Sequence, residues 1–176
     1  MLKSPENLGV IHFIGIGGIG MSGIAEILFQ SGYNVQGSDI TDGNNTNRLK
    51  KLGIKVYIGQ KKSNILNAKL VVVSTAISPK NIEYMTAKKM FLPVVHRSEM
   101  LGELMRLKQS IAIAGTHGKT TTTSLIAKMI EENGMDPTII NGGIISSLDS
   151  NAKLGNGEWM VVEADESDGS FAKLNP

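Results

Sequence analysis

Lys119 and Thr120 stand directly after Gly115-Thr-His-Gly118, a spacing suited to holding a nucleotide triphosphate. The run before it, Ile111 to Ala114, is short and apolar and reads as a buried strand. Leu125, Ile126, Met129 and Ile130 follow at helical spacing. In a strand–glycine turn–Lys-Thr–helix unit, backbone N–H groups and the helix N-terminus face phosphate. The lysine is a point charge for the β and γ oxygens, and the next hydroxyl can ligate Mg²⁺. The loop departs from G-x-x-x-x-G-K-[ST], because Ile113 occupies the place of the first glycine and Gly115 is the nearest one. The plain alternative is a lysine on the first turn of an ordinary helix.

A second phosphate-type loop, Gly15-Ile-Gly17-Gly18-Ile-Gly20, lies between the apolar run Val10–Ile14 and a segment where Ile24, Ile27 and Leu28 share a helical face. Gly-x-Gly-x-x-Gly between strand and helix points to a pyrophosphate site, and an acid about 20 residues on completes the pattern. Asp39, at the end of a strand read over Asn34 to Gly37, is that acid. A tight turn and a capping aspartate would explain the same residues without a ligand. A third element is the apolar strand Trp159 to Glu163, which ends in a carboxylate placed to hold Mg²⁺ with Thr120. Mg²⁺ takes few carboxylates beside phosphate and water oxygens, so one acid suffices. Asp165, Glu166 and Asp168 are weaker candidates in the same acidic stretch.

These loops need a scaffold, and the chain alternates strand and helix throughout. Strands are expected at Ile54–Ile58, Leu70–Val73, Pro93–Val95 and Pro137–Ile140. Helices are expected at Arg48–Leu52, from Pro79 through Lys89, and at Ser98–Leu107 with Ser98 as cap. The β-branched run at Leu70–Val73 suits a strand buried on both faces. The rhythm predicts an α/β fold: a Rossmann-like parallel-sheet domain, then the start of a P-loop ATPase domain, with helices on both faces. The boundary is expected just before the P-loop strand, dividing residues 1–107 from 108–176.

Composition agrees with a globular protein: 41% hydrophobic and 19% charged over 176 residues. A net charge of +2 with no basic run of five gives no reason to expect nucleic acid. Zero cysteines exclude disulfides, cysteine nucleophiles and cysteine metal sites, and suit a cytoplasmic protein. Five glycines between Gly15 and Gly23, and no small-residue cleavage site after them, argue against a leader or membrane helix at the apolar N-terminus.

Taken jointly, His12–Glu26, Gly37-Ser-Asp39, Val73–Ile77, Arg97–Leu101, Gly115–Thr123 and Glu163–Asp168 resemble the Mur ligases over nearly the whole chain. The resemblance implies that the first domain binds a UDP-linked substrate rather than a dinucleotide. Gly15, Gly17, Gly18 and Gly20 would admit the diphosphate, Asp39 with Ser38 would contact the uridine, and Ser74, Thr75 and Ala76 would line the same crevice. Arg97 would pair with substrate phosphate or carboxylate, or else form a surface salt bridge. ATP would bind through Gly115, Thr116, His117, Gly118, Lys119, Thr120 and Thr121, with no separate role for His117, and Mg²⁺ on Thr120 and Glu163. The implied reaction joins L-alanine to the lactyl carboxylate of UDP-N-acetylmuramate through an acyl phosphate, with Lys119 as the catalytic charge. Mur ligases resemble a three-domain machine, so a chain ending at Pro176 is expected to lack a complete ATP site and to be inactive alone. Three readings remain open beside this one. A ligase that returns a murein tripeptide to UDP-N-acetylmuramate shares both loops. A UDP-sugar-binding module needs no chemistry. A nicotinamide-dependent dehydrogenase explains Asp39 but neither Lys119-Thr120 nor Glu163.

Overall fold

The computed structural model describes residues 4–145 and 150–164. The chain forms two compact units, Met1–Arg97 and Ser98–Pro176.

The first unit is built on a five-stranded sheet. Its strands are β1 (Val10–Ile14), β2 (Val35–Asp39), β3 (Lys55–Ile58), β4 (Ala68–Val73) and β5 (Val94–His96). They lie in the order β3-β2-β1-β4-β5, and every pairing is parallel. After the short α1 (Pro5–Leu8), the connections carry α2 (Ile19–Gln30), α3 (Asn44–Lys51), a 3-10 turn at Lys62–Ile65 and α4 (Ile82–Lys89). The last four residues of β1 are fully buried, as expected of a central strand covered on both faces. One face packs Ile14, Val71 and Ala68 against Ala87 and Tyr84 of α4. On the other, α2 is anchored to α3 by an ion pair between Glu26 and Arg48.

α4 begins later than expected. Pro79 is not in its first turn; Asn81 is the N-cap, its side-chain oxygen accepting from the N–H groups of Glu83 (2.9 Å) and Tyr84 (3.0 Å). An asparagine oxygen satisfies two of the helix's orphan donors, which proline's ring cannot do.

The second unit begins with α5 (Arg97–Met105), whose start precedes Ser98, and holds β6 (Gln109–Ile113), α6 (Lys119–Glu132), β7 (Thr138–Ile145), β8 (Ser150–Lys153) and β9 (Trp159–Glu163). The strand order is β6-β9-β7-β8, with β8 antiparallel to β7. β8 was not anticipated, since Ser-Asn-Ala-Lys carries no apolar alternation. α6 lays Ile126, Ala127 and Ile130 on Ile111, Ile113, Ile139 and Val161. Leu125 and Met129, expected on its apolar face, are 59% and 65% exposed, so the sheet-facing stripe lies one residue round the helix.

Candidate functional site

Each unit places a glycine loop at the carboxyl ends of its strands, where open α/β sheets bind ligands. In the first unit the strand order reverses between β1 and β4, so the crevice opens between the loops that follow these two strands. The first is Gly15–Gly20. Gly15 has φ 78°, a left-handed value that favours glycine, and its N–H donates to the Ser38 carbonyl at 2.8 Å. The second is Ser74–Ile77, whose Ile77 Cδ1 lies 3.2 Å from where a Gly15 Cβ would stand. Thr75 and Ala76 are exposed, and Ser74 is half-buried. Arg97 also reaches this end: a Cβ on Gly20 would meet a guanidinium nitrogen at 2.9 Å. Gly15, Gly17, Gly18, Gly20, Ser74, Thr75, Ala76 and Arg97 therefore gather round one mouth.

Asp39 and Ser38 take different directions because they alternate on β2. The Asp39 carboxylate accepts the Gly17 N–H at 2.8 Å and the Thr41 N–H at 3.3 Å, so it shapes the glycine loop. Asn45 on α3 supports the same residue, donating to the Gly17 carbonyl at 2.8 Å. The Ser38 side chain is fully buried and donates to Glu83 Oε2 at 2.5 Å. That contact belongs to a polar cluster that sequence reasoning missed. His12, inside the run Val10–Ile14, is 3.1 Å from Glu83 Oε2, and Gln36 Nε2 is 3.2 Å from His12 Nδ1. Burial alone would raise the Glu83 carboxyl, but hydrogen bonds from His12, Ser38 and Asn64 hold it below the usual carboxylate range. His12, Gln36 and Ser38, polar at buried strand positions, were the available signal; Glu83 in a first helical turn gave none, because acids are ordinary there.

In the second unit the loop after β6 ends at Gly118, with φ 75° at the α6 N-cap. Thr116, His117, Gly118, Thr120 and Thr121 are exposed, while Gly115 and Lys119 are half-buried. Lys119 Nζ folds back over its own loop and donates to the Gly115 carbonyl at 2.6 Å. Thr120 Oγ1 donates to Glu163 Oε2 at 2.8 Å, and the Gly142 N–H donates to the same oxygen at 2.9 Å. Sequence reasoning passed over Gly142 and Asn141. The Asn141 amide donates to Ser124 Oγ at 3.0 Å and so ties β7 to α6. Asp165, Glu166 and Asp168 lie outside the described residues.

The residues fit a bound magnesium nucleotide. Two neighbouring ligands of an octahedral Mg²⁺, each at about 2.1 Å, stand about 3 Å apart. The Thr120 and Glu163 oxygens are 2.8 Å apart. No group of three His, Cys, Asp or Glu side chains among the described residues could hold a metal. A Thr–Glu pair instead suits an ion that draws its other ligands from phosphate and water. Nor is any helix among the described residues long and apolar enough to cross a membrane.

A family model described as Mur ligase family, catalytic domain, matches residues 10–109. The UDP-N-acetylmuramate–L-alanine ligase of Parvibaculum lavamentivorans is 63% identical over 99% of this chain. The chain spans 35% of that relative's length, about a third. A crystal structure of UDP-N-acetylmuramate-alanine ligase from Thermotoga maritima superposes with TM-score 0.89 at 36% identity, covering 96% of this chain and 40% of that one. A UDP-N-acetylmuramate:L-alanyl-gamma-D-glutamyl-meso-diaminopimelate ligase from Neisseria meningitides gives TM-score 0.84 at 29% identity, with 92% and 54% covered. With a glycine loop at a Rossmann switch point and a family match over more than half its residues, the chain belongs to the Mur ligase family.

Proposed function

We propose that this chain is the N-terminal part of an ATP-dependent ligase that joins L-alanine to the lactyl carboxylate of UDP-N-acetylmuramate. The observation that carries the reading is the Thr120–Glu163 contact beside a Lys-Thr glycine loop, in a chain that also has a diphosphate-type loop at a sheet switch point. Neither a dehydrogenase nor a simple UDP-sugar-binding module has a use for the Thr120–Glu163 contact.

Residues 1–107 hold the UDP-linked substrate in this reading. The Gly15, Gly17, Gly18 and Gly20 backbone, which no side chain screens, and the positive end of the α2 dipole receive the diphosphate. Asp39 serves chiefly by holding Gly17 in place, with its remaining lone pairs available to a ribose or base. Ser38 contributes through its backbone carbonyl, which fixes Gly15 and Ile16. Ser74, Thr75 and Ala76 form the facing wall, and Arg97 offers a fork for phosphate or carboxylate.

Residues 108–176 supply part of the ATP site. Gly115, Thr116, His117, Gly118 and Thr121 present backbone and hydroxyl donors to the phosphates. Lys119 exchanges its contact with the Gly115 carbonyl for phosphate oxygens, and Thr120 and Glu163 hold Mg²⁺. When bound, ATP and Mg²⁺ supply the phosphoryl group that activates the carboxylate as an acyl phosphate and the positive charge that lets two anions meet. The contribution of this chain is positioning and charge; no side chain acts as a nucleophile. A protein that uses ATP and a UDP-linked substrate works in the cytoplasm in this reading.

The tripeptide-recycling ligase is the second reading, supported by the likeness to the Neisseria meningitides structure. Calorimetric titration of the chain with UDP-N-acetylmuramate, with NADH as control, tests the substrate site. Saturable binding of the first alone is expected, and binding of NADH alone would overturn the reading. Phosphate release by the protein at the full length of its relatives, with L-alanine or tripeptide as acceptor, separates the two ligases.

A further inference from the structure

We infer that Glu83 is a positioning residue for the proposed UDP-substrate crevice: one buried carboxylate on α4 that fixes the loops on both sides of the switch point. The inference rests on the substrate reading above and assigns work to a residue outside the mouth.

Glu83 is fully buried, as is His12. Four donors converge on its two oxygens. Oε2 receives the His12 ring at 3.1 Å and the Ser38 hydroxyl at 2.5 Å; Oε1 receives the Asn64 amide at 2.7 Å and the Lys61 N–H at 3.0 Å. Gln36 Nε2 also donates to the Asn64 carbonyl at 2.7 Å, and its other hydrogen faces His12 Nδ1. The pattern assigns the His12 proton to Nε2, where it points at Glu83.

Each partner leads to the crevice. Ser38, held by its side chain, uses its carbonyl to bind the N–H groups of Gly15 (2.8 Å) and Ile16 (3.0 Å). Its neighbour Asp39 holds Gly17 through the carboxylate and Gly59 through the carbonyl at 2.7 Å. On the other wall, Glu83 stands in the first turn of α4, capped by Asn81, a few residues beyond the Ser74–Ile77 loop. One carboxylate therefore joins the strand leading into the first loop, the strand that braces it, and the helix that follows the second. Four donors aimed at one charge define a single arrangement, whereas apolar packing would tolerate several.

The test uses the 176-residue chain in three forms. Glu83→Gln keeps the volume but turns an amide NH₂ toward donors. Ser38→Ala removes one bond and serves if the first variant does not fold. Ile27→Ala, in the buried face of α2 well past the loop, is the control for lost stability. Amide exchange by NMR and the Kd for UDP-N-acetylmuramate are measured under conditions where each variant is folded. Glu83→Gln is expected to speed exchange at Gly15 and Ile16 selectively and to weaken binding on the order of tenfold, the effect of losing a hydrogen bond to a charge. The His12 ring nitrogen shifts are expected to lose the Nε2–H signature. Ile27→Ala is expected to leave loop exchange and Kd unchanged. Uniform loosening of the first unit by Glu83→Gln, with a Kd matching that of Ile27→Ala, would overturn the inference. If wild-type chain does not bind the UDP-sugar, the substrate reading falls, and the exchange pattern at Gly15 and Ile16 still decides whether Glu83 sets the loop.

Discussion

Thr120 and Glu163 lie 43 positions apart in the chain and share one hydrogen bond. Their residue types raise the expectation of a magnesium site, and parallel pairing of β6 with β9 brings the loop after one beside the end of the other. Thr120→Val and Glu163→Gln in the protein at the full length of its relatives are each expected to lower kcat by about 10²–10³, as loss of one charge-stabilising group does. A phosphate-release assay over a range of Mg²⁺ concentrations checks this, with partial recovery at high Mg²⁺ expected for Thr120→Val. Sequence placed Asp39 as a ligand-contacting acid. What the fold shows is its bond to the Gly17 N–H, which no spacing rule reveals because that bond depends on how β2 lies beside β1.

At the scale of elements, α4 illustrates how a local signal can mislead. Proline favours a first helical turn, yet Asn81 holds the cap by accepting two N–H groups. Asn81→Ala is expected to cost about 1 kcal/mol. The same helix ends with Phe91 at φ 54°, left-handed and 93% exposed, while the Leu92 N–H closes the turn on the Ala87 carbonyl. A glycine would take this position without the side-chain penalty, so Phe91→Gly is expected to stabilise the first unit by about 0.5–1 kcal/mol. Urea unfolding measures both. All three tyrosines, Tyr33, Tyr57 and Tyr84, lie in the first unit, and the one tryptophan, Trp159, in the second, so the two emissions follow the units separately.

The whole molecule carries depressed carboxylates in both units. Glu83 is held down by its hydrogen bonds against burial, Asp42 by Thr46 and then Lys50, and Asp136 by the Asn156 N–H and then Lys153. A carboxyl whose folded pKa lies below its unfolded value adds stability that is complete above the unfolded value and lost as pH falls through the folded one. Unfolded values near 3.8 for the aspartates and 4.5 for Glu83 set the window. Both units are thus expected to be level in stability from pH 5 to neutrality by about this measure and to weaken below about pH 4.5. The first unit is expected to weaken more, since Glu83 is buried and the two aspartates are open to solvent screening. Tyrosine-detected urea midpoints across pH 3 to 7 check the sign, and Glu83→Gln is expected to flatten that unit's acid limb. The sequence by itself determined the alternation of strand and helix, the two glycine loops, the Lys-Thr pair and the acid that ends β9, because hydrophobic period and turn chemistry are local properties. Only the tertiary structure decided that β4 follows β1 across a switch point, that β8 runs antiparallel, that Asn141 and Gly142 support the Thr120–Glu163 pair, and that His12, Ser38, Asn64 and Glu83 share one buried charge. These facts join residues far apart in the chain, and a buried carboxylate shows its purpose only when its donors are in place around it.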